Sequence, residues 1–172
     1  MIFSLSEWFP CRPAQSSAFS SILRFVIAAS AMTLAACIPG PPKAGPLSAA
    51  LGKLVREDRV REVDLAAVWP LPWDEIFVFG PYSMRESNCQ ILELGWLRCR
   101  MTLPAMVEDG EFVLVFRVRS DVTRVERHSR WNGDFASRPQ PIPRTSAIFS
   151  VEPDGHSSGS ETWYRLVYRR SN

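Results

Sequence analysis

The strongest pattern in the chain is the alternation in residues 111–118, Glu-Phe-Val-Leu-Val-Phe-Arg-Val. In an extended backbone Phe112, Leu114, Phe116 and Val118 point to one side, and Val113 and Val115 to the other. Both sides are apolar, as in a strand covered on two faces. Residues 75–80, Glu-Ile-Phe-Val-Phe-Gly, have the same character and predict a second central strand. Residues 122–129 interleave charges with Val122 and Val125 and predict an exposed strand, entered through a tight connection at Ser120 and Asp121. Residues 145–152 and 161–170 predict two further strands, with Tyr164, Leu166 and Tyr168 on one face of the second. Residues 95–103 are one more strand candidate.

Helical spacing is weaker. Leu51, Leu54 and Val55 suggest a short helix within residues 47–61. Residues 63–68 fit either a strand or the end of that helix. Pro70 and Pro72 exclude regular helix across residues 69–75. Ser83 with Glu86 three residues on fits a capping box, opening an amphipathic helix to Leu92 with Met84, Ser87 and Ile91 near one face. Asn132-Gly133 signals a turn, residues 138–144 a loop, and residues 153–160 another turn. The pattern predicts an α+β domain over residues 47–172: an antiparallel sheet of about five or six strands with one or two helices packed on one face. There are no internal repeats.

The chain before this domain reads differently. Residues 25–36 form an apolar run behind Arg24, with Ala35 and Ala36 as small residues at its end. That is the layout of a secretory signal, and the run is too short to span a bilayer as a helix. Leu34-Ala35-Ala36-Cys37 closes it and resembles the bacterial lipobox. The resemblance implies that residues 1–36 are a signal peptide, that Cys37 becomes the first residue, and that it is acylated. Several acyl chains anchor a protein stably. No Met lies between Met1 and Met32, so a start near Ile22 or Leu23, with residues 1–21 outside the translated chain, is the expectation for the long leader. Residues 37–46 then hold the lipidated Cys37 and a Pro/Gly tether, which favours extended polyproline II. Ile38 rather than Asp after the cysteine implies, by analogy with known sorting rules, the outer membrane facing the periplasm.

Residues 37–172 carry 18 basic and 17 acidic side chains. This near neutrality gives no basic excess for nucleic-acid binding. The cysteines after Cys37 are Cys89 and Cys99, and outside the cytoplasm such a pair tends to oxidise to a disulfide. Neither His128 nor His156 sits at a metal-ligand spacing beside them, and no metal or cofactor is expected.

Other candidates have bland readings. Gly155-His156-Ser157-Ser158-Gly159 matches the nucleophile-elbow pattern, but the surrounding turn formers fit a hairpin loop and not the strand-to-helix turn an elbow needs. Asp74-Glu75 and Glu108-Asp109 read as solvated turn charges and not as an acid/base pair, which would have to converge on one pocket. His128 reads as a surface histidine. The proline-rich residues 138–144 read as a loop or edge blocker more than as a polyproline ligand. Trp69, Trp73, Trp96, Trp131 and Trp163 read mainly as core, with Trp131 the best exposed candidate because it adjoins a turn.

The order Trp-Asp-Glu-Ile-Phe-Val-Phe-Gly-Pro-Tyr-Ser (residues 73–83), Asp-Gly-Glu-Phe-Val-Leu-Val-Phe-Arg-Val (109–118), Asn-Gly-Asp-Phe-Ala (132–136) and Ala-Ile-Phe-Ser-Val (147–151) resembles a group of small uncharacterised bacterial lipoproteins. The resemblance implies a lipid-anchored envelope domain and carries no catalytic residue. The expected role is non-catalytic: binding an envelope protein, as an inhibitor or immunity protein does, or a structural role. The alternative is an envelope enzyme acting on cell-wall or lipid substrates.

Overall fold

Residues 111–118 form the centre of the fold. The computed structural model describes residues 44–155 and 162–169. The signal segment, Cys37 and residues 38–43 of the tether lie outside the described residues, as do His156, Ser157, Ser158 and Gly159 of the elbow-like motif. Among the described residues, β1 is Glu62–Asp64, β2 Glu75–Phe79, β3 Glu111–Val118, β4 Asp121–Ser129, β5 Asp134–Phe135, β6 Ile142–Pro143, β7 Ile148–Pro153 and β8 Tyr164–Tyr168. The helices are α1 (Pro46–Gly52), α2 (Leu65–Val68), α3 (Arg85–Ile91) and α4 (Trp96–Thr102).

The class is α+β, and the strands divide between two four-stranded sheets. One runs β4-β3-β2-β6 and is antiparallel throughout; the other runs β1-β7-β8-β5, with β5 parallel to β8. The two-sided apolarity of β2 and β3 explains the layering. Ile76, Val78, Phe112, Leu114 and Phe116 face the second sheet and meet Val63, Phe135, Phe149 and Leu166 in the main core. Leu47, Leu51 and Val55 from α1 and the turn after it close that core. Phe77, Phe79, Val113 and Val115 face the other way, under α3 and α4. The second sheet has one polar face, so its strands alternate. Glu62, Ser150 and Val167 lie in register, as do Glu152 and Arg165.

Several elements depart from the sequence reading. The first helix is α-helical only to Gly52 and continues as a wider turn over Lys53–Glu57. Residues 63–68 divide into β1 and the single turn of α2, and Asp64 caps that turn by accepting from the Ala66 amide at 2.8 Å. The Ser83–Glu86 capping box does not form. Met84 holds the N-cap position of α3, and Ser83 Oγ instead donates to the Gly80 carbonyl at 2.8 Å. Residues 95–103 are helix and not strand: Cys99 and Leu103, four apart, turn inward together, a spacing that suits a helix. The β3–β4 hairpin turns at Arg119, whose φ of 56° is left-handed, one residue earlier than expected.

Residues 138–144 do block an edge. Gln140 Nε2 donates to the Val78 carbonyl at 2.5 Å, and Gln140 Oε1 accepts from the Val78 amide at 3.0 Å. This side chain supplies both partners of a strand residue where Pro139 and Pro141 leave the backbone without donors. Proline is confined to such edges because it cannot donate to a ladder.

Candidate functional site

The proposed sites of the sequence separate into three groups in space. The first is the inward face of β4. Its register places His128 opposite Phe112, Glu126 opposite Leu114 and Arg124 opposite Phe116. All three therefore share the face of β3 that forms the main core. The expectation of a surface histidine is overturned: His128 is wholly buried. Charges stand on both faces of this strand, so alternation alone could not show which face turns inward. His128 packs against the rings of Phe112 and Phe135, and its Nε2 lies 2.7 Å from the Gly133 carbonyl. Burial pushes its pKa down to about 4, against the smaller opposing effects of the Gly133 bond and Asp134. A neutral ring with Nε2 donating to Gly133 fits this site. Glu126, also buried, is held by Arg124 at 2.5 Å.

The second group gathers around Trp131 and Trp163. Their rings meet edge to face with centroids 5.7 Å apart. The Arg56 guanidinium lies 3.5 Å from the centre of Trp131 and donates to the Thr162 carbonyl at 3.2 Å. Arg130 lies over Trp163 and bonds Asp134 at 2.6 Å; this bond holds its pKa above the ordinary arginine value. Trp163 Nε1 also donates to Asp134, at 3.2 Å. Trp131 is thus half-buried beneath an arginine, and the expectation that it is the most exposed tryptophan is overturned. The most exposed is Trp96.

The carboxylate pairs do not converge. Glu75 is more than a solvated turn charge: it is half-buried and bonded to Arg117, whose Nε lies 2.8 Å away. Asp74 accepts from the Arg119 amide at 2.6 Å and fixes the β3–β4 turn. Glu108 and Asp109 are exposed, near Arg127 and Arg130. Among the described residues there is no cluster of three or more His, Cys, Asp or Glu side chains that could hold a metal ion. An open hollow of about 500 Å³ is lined by Ser137, Arg138, Pro139 and Tyr168.

The third group is the α3–α4 hairpin. Tyr82 N donates to the Val107 carbonyl at 2.8 Å and Arg85 N to that of Ala105 at 3.0 Å, which ties the start of α3 to the strap that follows α4. Cys89 on α3 and Cys99 on α4 stand at disulfide distance, with Cα atoms 5.7 Å apart, as expected. Their side chains, with Leu92, Leu103 and Val107, cover the sheet. The rest of α4 exposes large apolar side chains: Leu97 and Met101 opposite the buried side, and Trp96 at its flank. Trp96 is 73% exposed, Leu97 62% and Met101 81%. Leu97 and Met101 are one turn apart, on the side opposite Cys99 and Leu103. The sequence reading missed this surface because it read the segment as a strand. The spacing of Leu97 from Met101 against that of Cys99 from Leu103 carries the signal: two apolar pairs, on opposite sides of a helix. No helix among the described residues is long and apolar enough to cross a membrane.

Set against family models, curated proteins and solved structures, the chain matches none.

Proposed function

We propose that this chain is a lipid-anchored domain of the cell envelope, acylated at Cys37, that acts by binding an envelope protein and not by turnover. The Leu34-Ala35-Ala36-Cys37 motif behind an apolar run supports the anchor. The domain begins close behind it: Gly45 N already bonds the Arg127 carbonyl on β4 at 2.9 Å, so a short proline-rich span separates cysteine from fold. A pair of cysteines at disulfide distance suits an oxidising compartment. The resemblance to small bacterial lipoproteins points the same way.

The observation that carries the binding reading is the employment of the polar side chains. Glu75, Glu111, Glu126 and Asp134 are each held by an arginine, and His128 is spent on a core carbonyl. A general acid or base needs freedom to exchange its proton with a substrate; these groups serve the framework. Mass spectrometry of the native protein tests the anchor: an acylated N-terminal Cys37 is expected, and a native chain beginning upstream of Cys37 without acyl groups would refute it. Affinity capture from envelope extract is expected to recover a defined partner. Capture of none, together with turnover of a peptidoglycan or ester substrate, reverses the reading in favour of an envelope enzyme.

A further inference from the structure

We propose that the outer face of α4 rests on the lipid bilayer, with Trp96, Leu97 and Met101 in the boundary between headgroups and acyl chains; this rests on the lipid anchor at Cys37 proposed above. Leu97 and Met101 point away from the sheet that α4 covers, and Trp96, also exposed, opens the helix at the flank of that face, one turn before Arg100. Their packing supplies nothing to the core, and large apolar side chains in such a cluster mark a contact surface. The charged residues of α4 are Arg98 and Arg100, and the helix contains no carboxylate. Arg100 lies over the Trp96 ring at 5.9 Å, and Arg98 reaches sideways to Asp121 at 3.1 Å. Tryptophan sits at headgroup depth, and arginine keeps its cation in the headgroups while its stem lies along apolar surface. An interfacial helix combines these features: apolar tips below, cations at the rim.

The reach of the chain permits contact with the bilayer that holds the anchor. The fold's first fixed point is Gly45 against Arg127 on β4, an edge strand. The eight residue steps from Cys37 to Gly45 extend to at most about 28 Å. The Arg98–Asp121 pair ties α4 to the other end of the same strand. The six steps from Arg127 to Asp121 span about 20 Å, less than the tether allows. A domain held by Cys37 therefore can lay α4 on the surface that holds its own acyl chains. That placement turns the second sheet, on the far side of the fold, towards the aqueous space.

The test uses the full acylated chain purified from membranes and reconstituted into vesicles of phosphatidylethanolamine and phosphatidylglycerol, with and without bromine on the acyl chains. Flotation reads the anchor, and quenching of tryptophan emission by brominated lipid reads the face. The expected result is a chain that floats and is quenched, with Trp96→Phe removing most of the quenching. Leu97→Glu combined with Met101→Glu should leave flotation intact and weaken the quenching by about twofold or more. Flotation without quenching of Trp96 overturns the proposal and leaves the anchor standing, and a protein partner for α4 then takes its place. Flotation that the Leu97/Met101 variant abolishes overturns the anchor on which the proposal rests. A wild-type chain that does not float overturns both.

Discussion

Lowering the pH from 7 to 4 protonates the unfolded chain at His128 well before the folded one. Burial among Phe112 and Phe135 lowers the folded pKa to about 4, from an ordinary value near 6.5. The charged groups around the ring leave that direction unchanged. Asp134 raises the pKa by less than burial lowers it. The Arg138 cation lies over the rings of Phe112 and Phe135, against which His128 packs, and opposes a second positive charge. Glu126, two residues along the same face of β4, is engaged by Arg124.

A depressed folded pKa means that the contribution is fully present above about pH 6.5 and is lost as the pH falls towards about 4. The loss is about 1.4 kcal/mol per pH unit, so about 3 kcal/mol over the window. Domains of this size are stable by about 5–15 kcal/mol, so the loss is measurable. The assay is urea unfolding followed by tryptophan fluorescence at a series of pH values, for the wild type and for His128→Phe. The variant leaves the Gly133 carbonyl without its donor, which costs about 1–3 kcal/mol at pH 7. Its stability should then lack the descent that the wild type shows between about pH 6.5 and about pH 4. Parallel curves for the two proteins across that window would refute the argument, as would a histidine ring that titrates near its ordinary value in the folded protein.

Three further outcomes follow from the packing. Adding a reductant should lower unfolding stability by about 2–3 kcal/mol on chain-entropy grounds, and by nothing if the pair is already reduced in the native protein. Gly133→Ala should destabilise by about 1–3 kcal/mol, because the φ of 136° disfavours a side chain and a Cβ would stand 2.9 Å from Leu166 Cδ1. A Tm equal to wild type would show that the turn relaxes. Gln140→Ala removes both bonds to Val78; faster hydrogen exchange at the Val78 amide is expected, and unchanged protection there would refute the edge-blocking role.

The central strands β2 and β3 were legible because their residues are apolar on both faces. Residues 111–118 and 75–79 announced coverage on both faces, which a single sheet under helices cannot supply on its own. The second cover is a sheet assembled from strands as short as Asp134–Phe135 and Glu62–Asp64, too short to show alternation. Register hid His128: the choice of inner face on β4 follows from pairing with Phe112 and Leu114, which the strand's own residues do not encode. The carboxylates were readable as non-convergent but not as partners of distant arginines. Glu75 meets Arg117 only because β2 and β3 are neighbours. The α4 surface was lost to a wrong period, since Leu97, Cys99, Met101 and Leu103 alternate like a strand.

The arginines show what the framework demands and what it leaves over. Arg138 donates to the carbonyls of Phe135, Ala136 and Val78, joining the two sheets; Arg144 donates to that of Leu71 at 2.7 Å, and Arg56 to that of Thr162. Short strands and long loops leave many carbonyls without a ladder partner, and a planar fork with several donors can reach more than one of them, which a lysine ammonium does less well. These cations answer to folding, as do the buried apolar residues. Leu97 and Met101 answer to neither need. Replacing both by Glu should therefore change unfolding stability in urea by no more than about 0.5 kcal/mol, the usual effect of surface substitutions. A larger loss would mean that the two side chains support the hairpin itself, and the bilayer would then be unnecessary to explain them. Unchanged stability with lost quenching separates the surface from the fold and assigns these side chains to contact outside the molecule.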